Sequence, residues 1–270
     1  MEFNVNGKVA LVTGGSRGLG FYAARALLRN GASRVFVSSR KVDACVKAAN
    51  ELNSSSTGAS GHGKAIPIAA DFANPDDIKR VIDHIDRVTN GRLDIVIANA
   101  GATWGAPLHS HDPAAIDKVL ALNVRGVFVT IQSAARLLER SGTDEDPSRV
   151  IVVGSVIGLP SGTAEIGKMG TYGYGASKAA VHHLSMSLAV ELGSRQVNVN
   201  TIAPGFFKTK MAAGLIDRIG EDKLVSQNPK HRLGRPQDLE SVIVFLCSKP
   251  SAYINGVVLP VDGGQHLAKF

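Results

Sequence analysis

Tyr174 and Lys178 lie four positions apart in Tyr174-Gly-Ala-Ser-Lys178, at the head of a segment with helical spacing. Side chains at i and i+4 share one helix face, so the phenol and the ammonium project to the same side. A free phenol ionises at about pH 10 and is a poor proton carrier at neutrality. A cation beside it favours the phenolate and lowers that value. The pair is therefore a candidate proton donor and acceptor. Tyr172 lacks such a partner, because Ala176 stands four positions on. The spacing alone is common by chance and needs the support of other motifs.

A second constellation is Thr13-Gly14-Gly15-Ser16-Arg17-Gly18-Leu19-Gly20, between the apolar run 8–13 and the helical spacing of 21–29. Glycines between a strand and a helix let backbone approach a pyrophosphate, and the helix N-terminus supplies free N–H groups and a positive dipole. The spacing is G-x-x-x-G-x-G rather than the more common G-x-G-x-x-G. In strand–turn–helix context it predicts a dinucleotide cradle. A carboxylate after the second strand would hold a free ribose 2′-hydroxyl. Here that strand ends Ser39-Arg40-Lys41, with no acid. Guanidinium groups match phosphate, so Arg17 and Arg40, helped by Ser39 and Lys41, predict a 2′-phosphate and hence NADP(H) over NAD(H).

The elements that must position these groups alternate regularly. Apolar strand-like runs fall at 8–13, 34–38, 65–70, 93–98, 149–154, 197–202 and 257–261. Helical spacing fills 21–29, 42–52, 75–88, 113–138, 174–192 and 236–246. This alternation predicts an α/β, Rossmann-type, doubly wound and mostly parallel seven-stranded sheet with helices on both faces, in one domain over 1–270. Three stretches interrupt it: the Ser/Gly-rich 53–63, the polar 141–147, and 205–229. Ligands of open α/β sheets bind beyond the strands' carboxyl ends, so the segment at about 205–230 is a candidate substrate lid.

Read together and in order, TGGSRGLG, ANAG (98–101), LNV around Asn123, VGS ending at Ser155, YGASK, APG (203–205) and VDGG (261–264) resemble the short-chain dehydrogenase/reductase family over essentially the whole chain. The resemblance implies catalytic roles for Ser155, Tyr174, Lys178 and Asn123. Tyr174 would be the acid in ketone reduction, with Lys178 on the nicotinamide ribose and lowering the phenol's pKa. Ser155 would hydrogen-bond the substrate oxygen, and Asn123 would support a water leading to Lys178. It also implies cofactor contacts from the Gly loop, from Asp71 and Phe72 at the adenine, from Asn99, Ala100 and Gly101, and from Pro204, Gly205 and Thr209, with Ile202 against the nicotinamide face. Two departures stand out: Ala98 replaces the first Asn of Asn-Asn-Ala-Gly, and the segment 158–173 is lengthened. Within the family the pattern is most similar to 3-oxoacyl reductases, including the rhamnolipid-pathway type, which implies a 3-oxoacyl or other hydrophobic ketone. A polyol or sugar dehydrogenase, and a non-catalytic NADP(H)-binding module, are the alternatives. The resemblance further implies a homotetramer or homodimer, built on the apolar excess of 119–138 and 176–192.

Composition sets outer bounds. With 44% hydrophobic and 20% charged residues the chain is an ordinary globular one, without an apolar run of membrane-spanning length or a signal-peptide pattern. The net charge of +7 has no basic block behind it, so it suits phosphorylated ligands better than nucleic acid. Cys45 and Cys247 sit in apolar contexts and read as buried free thiols of a reducing, cytoplasmic compartment. The final Ala-Lys-Phe only distantly resembles a peroxisomal address. No histidine has metal-ligand spacing: His182 and His183 read as packing or helix-surface residues, and His62, His109 and His111 as solvated. Trp104 is a candidate lining of the substrate cleft.

Overall fold

The computed structural model describes residues 2–55, 63–160 and 170–268. Its strands are β1 (Val9–Thr13), β2 (Arg34–Ser39), β3 (Lys64–Ala69), β4 (Ile95–Ala98), β5 (Ser148–Val153), β6 (Val197–Pro204) and β7 (Val258–Val261). They form one sheet in the order β3-β2-β1-β4-β5-β6-β7, every neighbouring pair parallel. β1, β4, β5 and β6 are buried throughout, which is why they appear in the sequence as continuous apolar runs. The order reverses between β1 and β4. Chains leave those two strands in opposite directions, and the crevice between them is the natural ligand site.

The helices are α1 (Gly18–Arg29), α2 (Val42–Ser55), α3 (Pro75–Thr89), α4 (Pro113–Leu120), α5 (Val127–Ser141), α6 (Tyr172–Gly193), α7 (Lys210–Ile219), α8 (Glu221–Gln227) and α9 (Pro236–Cys247). Two core clusters lie on opposite faces of the sheet. One joins α1, α2 and α9 to it, the other α3, α5 and α6. Local signals set the boundaries. The Asn74 side chain accepts from Asp76 N–H and Asp112 from Ala114 N–H, each with proline at the first helical position.

The structure departs from the sequence reading in several places. The single helix expected over 113–138 is three pieces, with a π-helical segment, Ala121–Gly126, between α4 and α5. α1 and α6 begin earlier than expected, at Gly18 and Tyr172. The candidate lid holds two helices, α7 and α8, parted at Gly220 with φ +92°. The apolar excess of α6 does not all turn inward, since Val190 is 84% exposed. Both cysteines are buried and free, as expected, and burial pushes the Cys247 thiol up to about 12. No helix among the described residues is long and apolar enough to cross a membrane. His62, most of the lengthened segment before Tyr174 and the last two residues lie outside the described residues.

Candidate active site

The Gly loop leaves β1 at the sheet's carboxyl edge, and the geometry there depends on absent side chains. Gly14 and Gly18 take φ +64° and +56°, the left-handed region that glycine enters without steric cost. A Cβ on Gly20 would collide with Asn99 Nδ2 and come within 2.5 Å of the Gly14 carbonyl. Asn99 uses that amide to donate to the carbonyls of Thr13 (3.0 Å) and Gly14 (3.1 Å). Thr13 Oγ1 in turn accepts from the N–H groups of Asn99 and Ala100. Asn99 and Ala100 thus brace the loop from β4. Gly101 faces Asn123 Oδ1.

The α1 N-terminus carries Arg17 at its cap, with no side-chain cap and no acid in the first turn. Its amides therefore remain available to an anion. β2 pairs with β1 so that Thr13 is opposite Ser38, which brings Ser39, Arg40 and Lys41 out beside the loop. Arg17, Arg40 and Lys41 are exposed. No carboxylate among the described residues pairs with them. Ser39 Oγ is 3.1 Å from Cys45 Sγ. The cradle and its cations fit a dinucleotide phosphate on observations independent of motif.

Asp71 follows β3 and accepts from Ala73 N–H at 3.0 Å. Phe72 is not free to lie on a ligand. Its ring is buried in the core and its carbonyl blocks any Cβ at Gly126, so only its backbone faces the edge. Ile202 is likewise fully buried in β6 and does not face a nicotinamide. Thr209 caps α7, its hydroxyl accepting from Ala212 N–H, and its methyl is the nearest group to Gly18, across the crevice. Pro204 ends β6, and Gly205 is held close to Asp262, where a Cβ would come to 2.6 Å of the Asp262 Cβ.

The remaining groups converge beyond β5. Ser155 follows that strand; its hydroxyl accepts from Ile157 N–H at 3.2 Å and neighbours the Tyr174 phenol closely enough to bear on its ionisation. Lys178, one turn beyond Tyr174, donates to the Val153 carbonyl at 2.6 Å. Its ammonium lies 5.6 Å from the Tyr174 ring centroid. Asn123 in the π-helical segment is buried. It donates to and accepts from the Ala102 backbone, each at 2.9 Å, and donates to Ser177 Oγ. The π turn re-aims this one side chain, a frequent use of such segments.

The electrostatics correct one expectation. The tyrosine pKa is raised, not lowered: burial disfavours the phenolate and outweighs the Ser155 hydrogen bond. Lys178 faces the Val153 carbonyl and the ring rather than the phenol oxygen. Burial brings its own pKa down to about 8.

His111 also differs from expectation, whereas the packing role read for His182 holds. His111 is half-buried and packs edge-on against Tyr172, with ring centroids 5.6 Å apart. His182 is buried beneath Ser155, whose N–H donates to its Nε2 at 3.3 Å. Trp104, Leu108 and Met211 are exposed apolar side chains on the segment after β4 and on α7. No cluster with metal-ligand chemistry occurs among the described residues.

Residues 14–266 match a family profile described as enoyl-(acyl carrier protein) reductase. The rhamnolipids biosynthesis 3-oxoacyl-[acyl-carrier-protein] reductase of Pseudomonas aeruginosa is 41% identical over 266 residues, 98% of each chain. The chain belongs to the short-chain dehydrogenase/reductase family. It is an oxidoreductase using a nicotinamide cofactor, with the fold of solved family members. A Pseudomonas aeruginosa RhlG/NADP active-site complex superposes with TM-score 0.89 at 38% identity, covering 98% of this chain and 100% of that one. A Burkholderia cenocepacia gluconate 5-dehydrogenase in complex with NADP and tartrate superposes with TM-score 0.86 at 28% identity, covering 99% and 98%.

Proposed function

We propose that this short-chain dehydrogenase/reductase reduces a hydrophobic ketone, a 3-oxoacyl thioester being the leading class, with NADPH. The observation that carries the reading is the convergence of Ser155, Tyr174 and Lys178 beyond β5, with the Lys178 ammonium 5.6 Å from the Tyr174 ring and the Ser155 hydroxyl beside the phenol. A ketone oxygen placed there accepts from both hydroxyls. Negative charge developing on that oxygen is stabilised by fixed donors that need no reorganisation.

The amides of the α1 N-terminus and Arg17 would hold the pyrophosphate, Arg40, Ser39 and Lys41 the 2′-phosphate, Asp71 the adenine edge, and Thr209 and Lys178 the nicotinamide end. Bound there, the nicotinamide supplies the hydride that the carbonyl carbon receives. Tyr174 gives its phenolic proton to the oxygen, and the O–H bond of the alcohol forms as the tyrosine O–H bond breaks. Lys178 stabilises the phenolate left behind until a solvent proton restores it. Asn123 fixes Ala102 and the first turn of α6 through Ser177, which keeps Tyr174 in line. Segment 205–230 closes over the substrate as a lid. Trp104, Leu108 and Met211 give it an apolar rim, which favours an acyl or other hydrophobic substrate over a polyol or sugar acid.

NADPH and NADH oxidation against acetoacetyl and crotonyl thioesters, aromatic ketones and ketoses tests the reading. NADPH-dependent turnover of the acetoacetyl thioester, lost at least about 100-fold in Tyr174→Phe with NADPH affinity kept, is the expected result. Turnover of the crotonyl thioester alone would make the reaction alkene reduction. Turnover of ketoses alone would make it a sugar dehydrogenase. Turnover retained in Tyr174→Phe would remove the proton donor.

A further inference from the structure

His182 lies one turn beyond Lys178 and two beyond Tyr174, so α6 carries all three on one face. It is 5% exposed. The turn bearing Ser155 is moulded to its ring. A Cβ on Gly154 would collide with Nε2 and reach 2.7 Å from Cδ2, and one on Gly158 would come to 2.9 Å of Cε1. Neither glycine has a positive φ, so these positions need room rather than backbone freedom: Gly154 for the imidazole, and Gly158 for the Lys178–Ala179 backbone of α6, at 2.6 and 2.8 Å, as well as for the ring. Inside this wrap the buried Ser155 N–H has Nε2 as its acceptor at 3.3 Å.

We propose that His182 is a positioning residue. Its Nε2 holds the Ser155 backbone N–H and so sets the Ser155 hydroxyl at the Tyr174 phenol. This rests on the ketone-reductase reading for its kinetic consequence, but not for its geometry. The ring must be neutral to accept. Burial first, and then the Lys178 cation, bring its pKa down to about 4, against a hydrogen bond with the Gly158 backbone that favours the protonated form. Nε2 is thus an acceptor, which leaves the proton of the neutral ring on Nδ1. A filler of equal bulk would occupy the wrap yet leave the Ser155 N–H buried without a partner. A displacement of the hydroxyl by about 1 Å is enough to cost about 100-fold in rate.

The test compares His182→Leu with His182→Gln, whose amide oxygen reaches about as far as Nε2. Ketone reduction is followed by kcat and KM separately, and NADPH binding by fluorescence. His182→Leu should lose about 10- to 100-fold in kcat, with the NADPH Kd within about twofold of the parent, and His182→Gln should recover most of that loss. Equal losses in both variants, or an unaffected kcat in His182→Leu, would overturn the proposal. ¹⁵N NMR of the histidine-labelled parent protein gives a readout independent of variant folding and of substrate. It should show His182 as the neutral Nδ1–H form at pH 6. An Nε2–H form, or titration near the ordinary histidine value, would equally overturn it. Absence of turnover by the parent on every carbonyl would instead undo the functional reading and leave the tautomer to decide the placement.

Discussion

At the scale of single residues, burial decides which form of each titrating group the site presents. It favours the protonated Tyr174 phenol. Lys178 is the group that titrates within reach of assay. Its pKa is lowered to about 8 from the ordinary 10.5 by burial. The ammonium is therefore charged below that pH and neutral above it. A charged ammonium offers three donors to ribose hydroxyls. The kcat/KM for NADPH reports the free enzyme. It should be level below about pH 8 and fall above it with the loss of one proton, and Lys178→Arg should remove that alkaline limb even while lowering the rate. A limb that persists in Lys178→Arg would assign it elsewhere. The type and order of these candidate catalytic residues were legible in the sequence. The sign of the tyrosine shift was not, because it is set by burial, which emerges only from the packing around the ring. The contact His182 makes was missed for a related reason. α6 is apolar around most of its circumference, so one histidine on it carries no sign of which neighbour it meets.

At the scale of elements, strands buried on both faces announce themselves as apolar runs, and all seven strands were placed within two residues at either end. β4 starts at Ile95, two residues into its apolar run, although the Asp94 backbone already bonds Val9 and Arg149 of the neighbouring strands. The π-helical segment was invisible. One inserted residue changes hydrogen bonding without disturbing apolar spacing over so short a stretch, yet that segment carries Asn123. The helices of 205–230 were hidden by their exposure: α7 buries only Ile216 and α8 only Leu224. The Gly loop shows the reverse, a motif whose spacing is explained by its neighbour. Gly20 has no positive φ; its need for glycine comes from the β4 brace, where Asn99 Nδ2 and the Gly14 carbonyl occupy the Cβ position. Gly20→Ala should therefore break the Asn99 hydrogen bonds and displace the loop. Overpacking of this kind costs about 1–3 kcal/mol, read by urea unfolding, and NADPH affinity should fall at least about tenfold. An alanine variant that binds NADPH like the parent would show that the loop does not depend on this brace.

At the scale of the whole molecule, the sheet separates stability from chemistry. Every ligand-facing group described above lies at the carboxyl edge. The amino edge holds a buried ionic network instead. Asp94, 2% exposed, accepts from Val9 N–H at 2.8 Å and from Arg92 Nε at 2.9 Å, and Lys8 lies 3.8 Å away. Lys8 also pairs with Asp146 at 2.6 Å, and Asp146 with the buried Arg149 at 3.4 Å. Through these contacts β1, β4 and β5 are tied together where they enter the sheet, one strand length from the Gly loop and Ser155. Removing Asp94 leaves the buried Val9 N–H without its acceptor, while Lys8 keeps Asp146 and Arg92 is half exposed. Asp94→Ala should lower unfolding free energy by about 1–3 kcal/mol, measured by urea denaturation, while kcat and the NADPH KM per folded molecule stay within about twofold of the parent. The outcome turns on the rigidity of the parallel sheet. If strand entry and strand exit moved together, loss of the network would reach the Gly loop and raise the NADPH KM several-fold. If the strands hold their register, the damage stays in stability, and the sheet's two edges are independent in function as they are in composition.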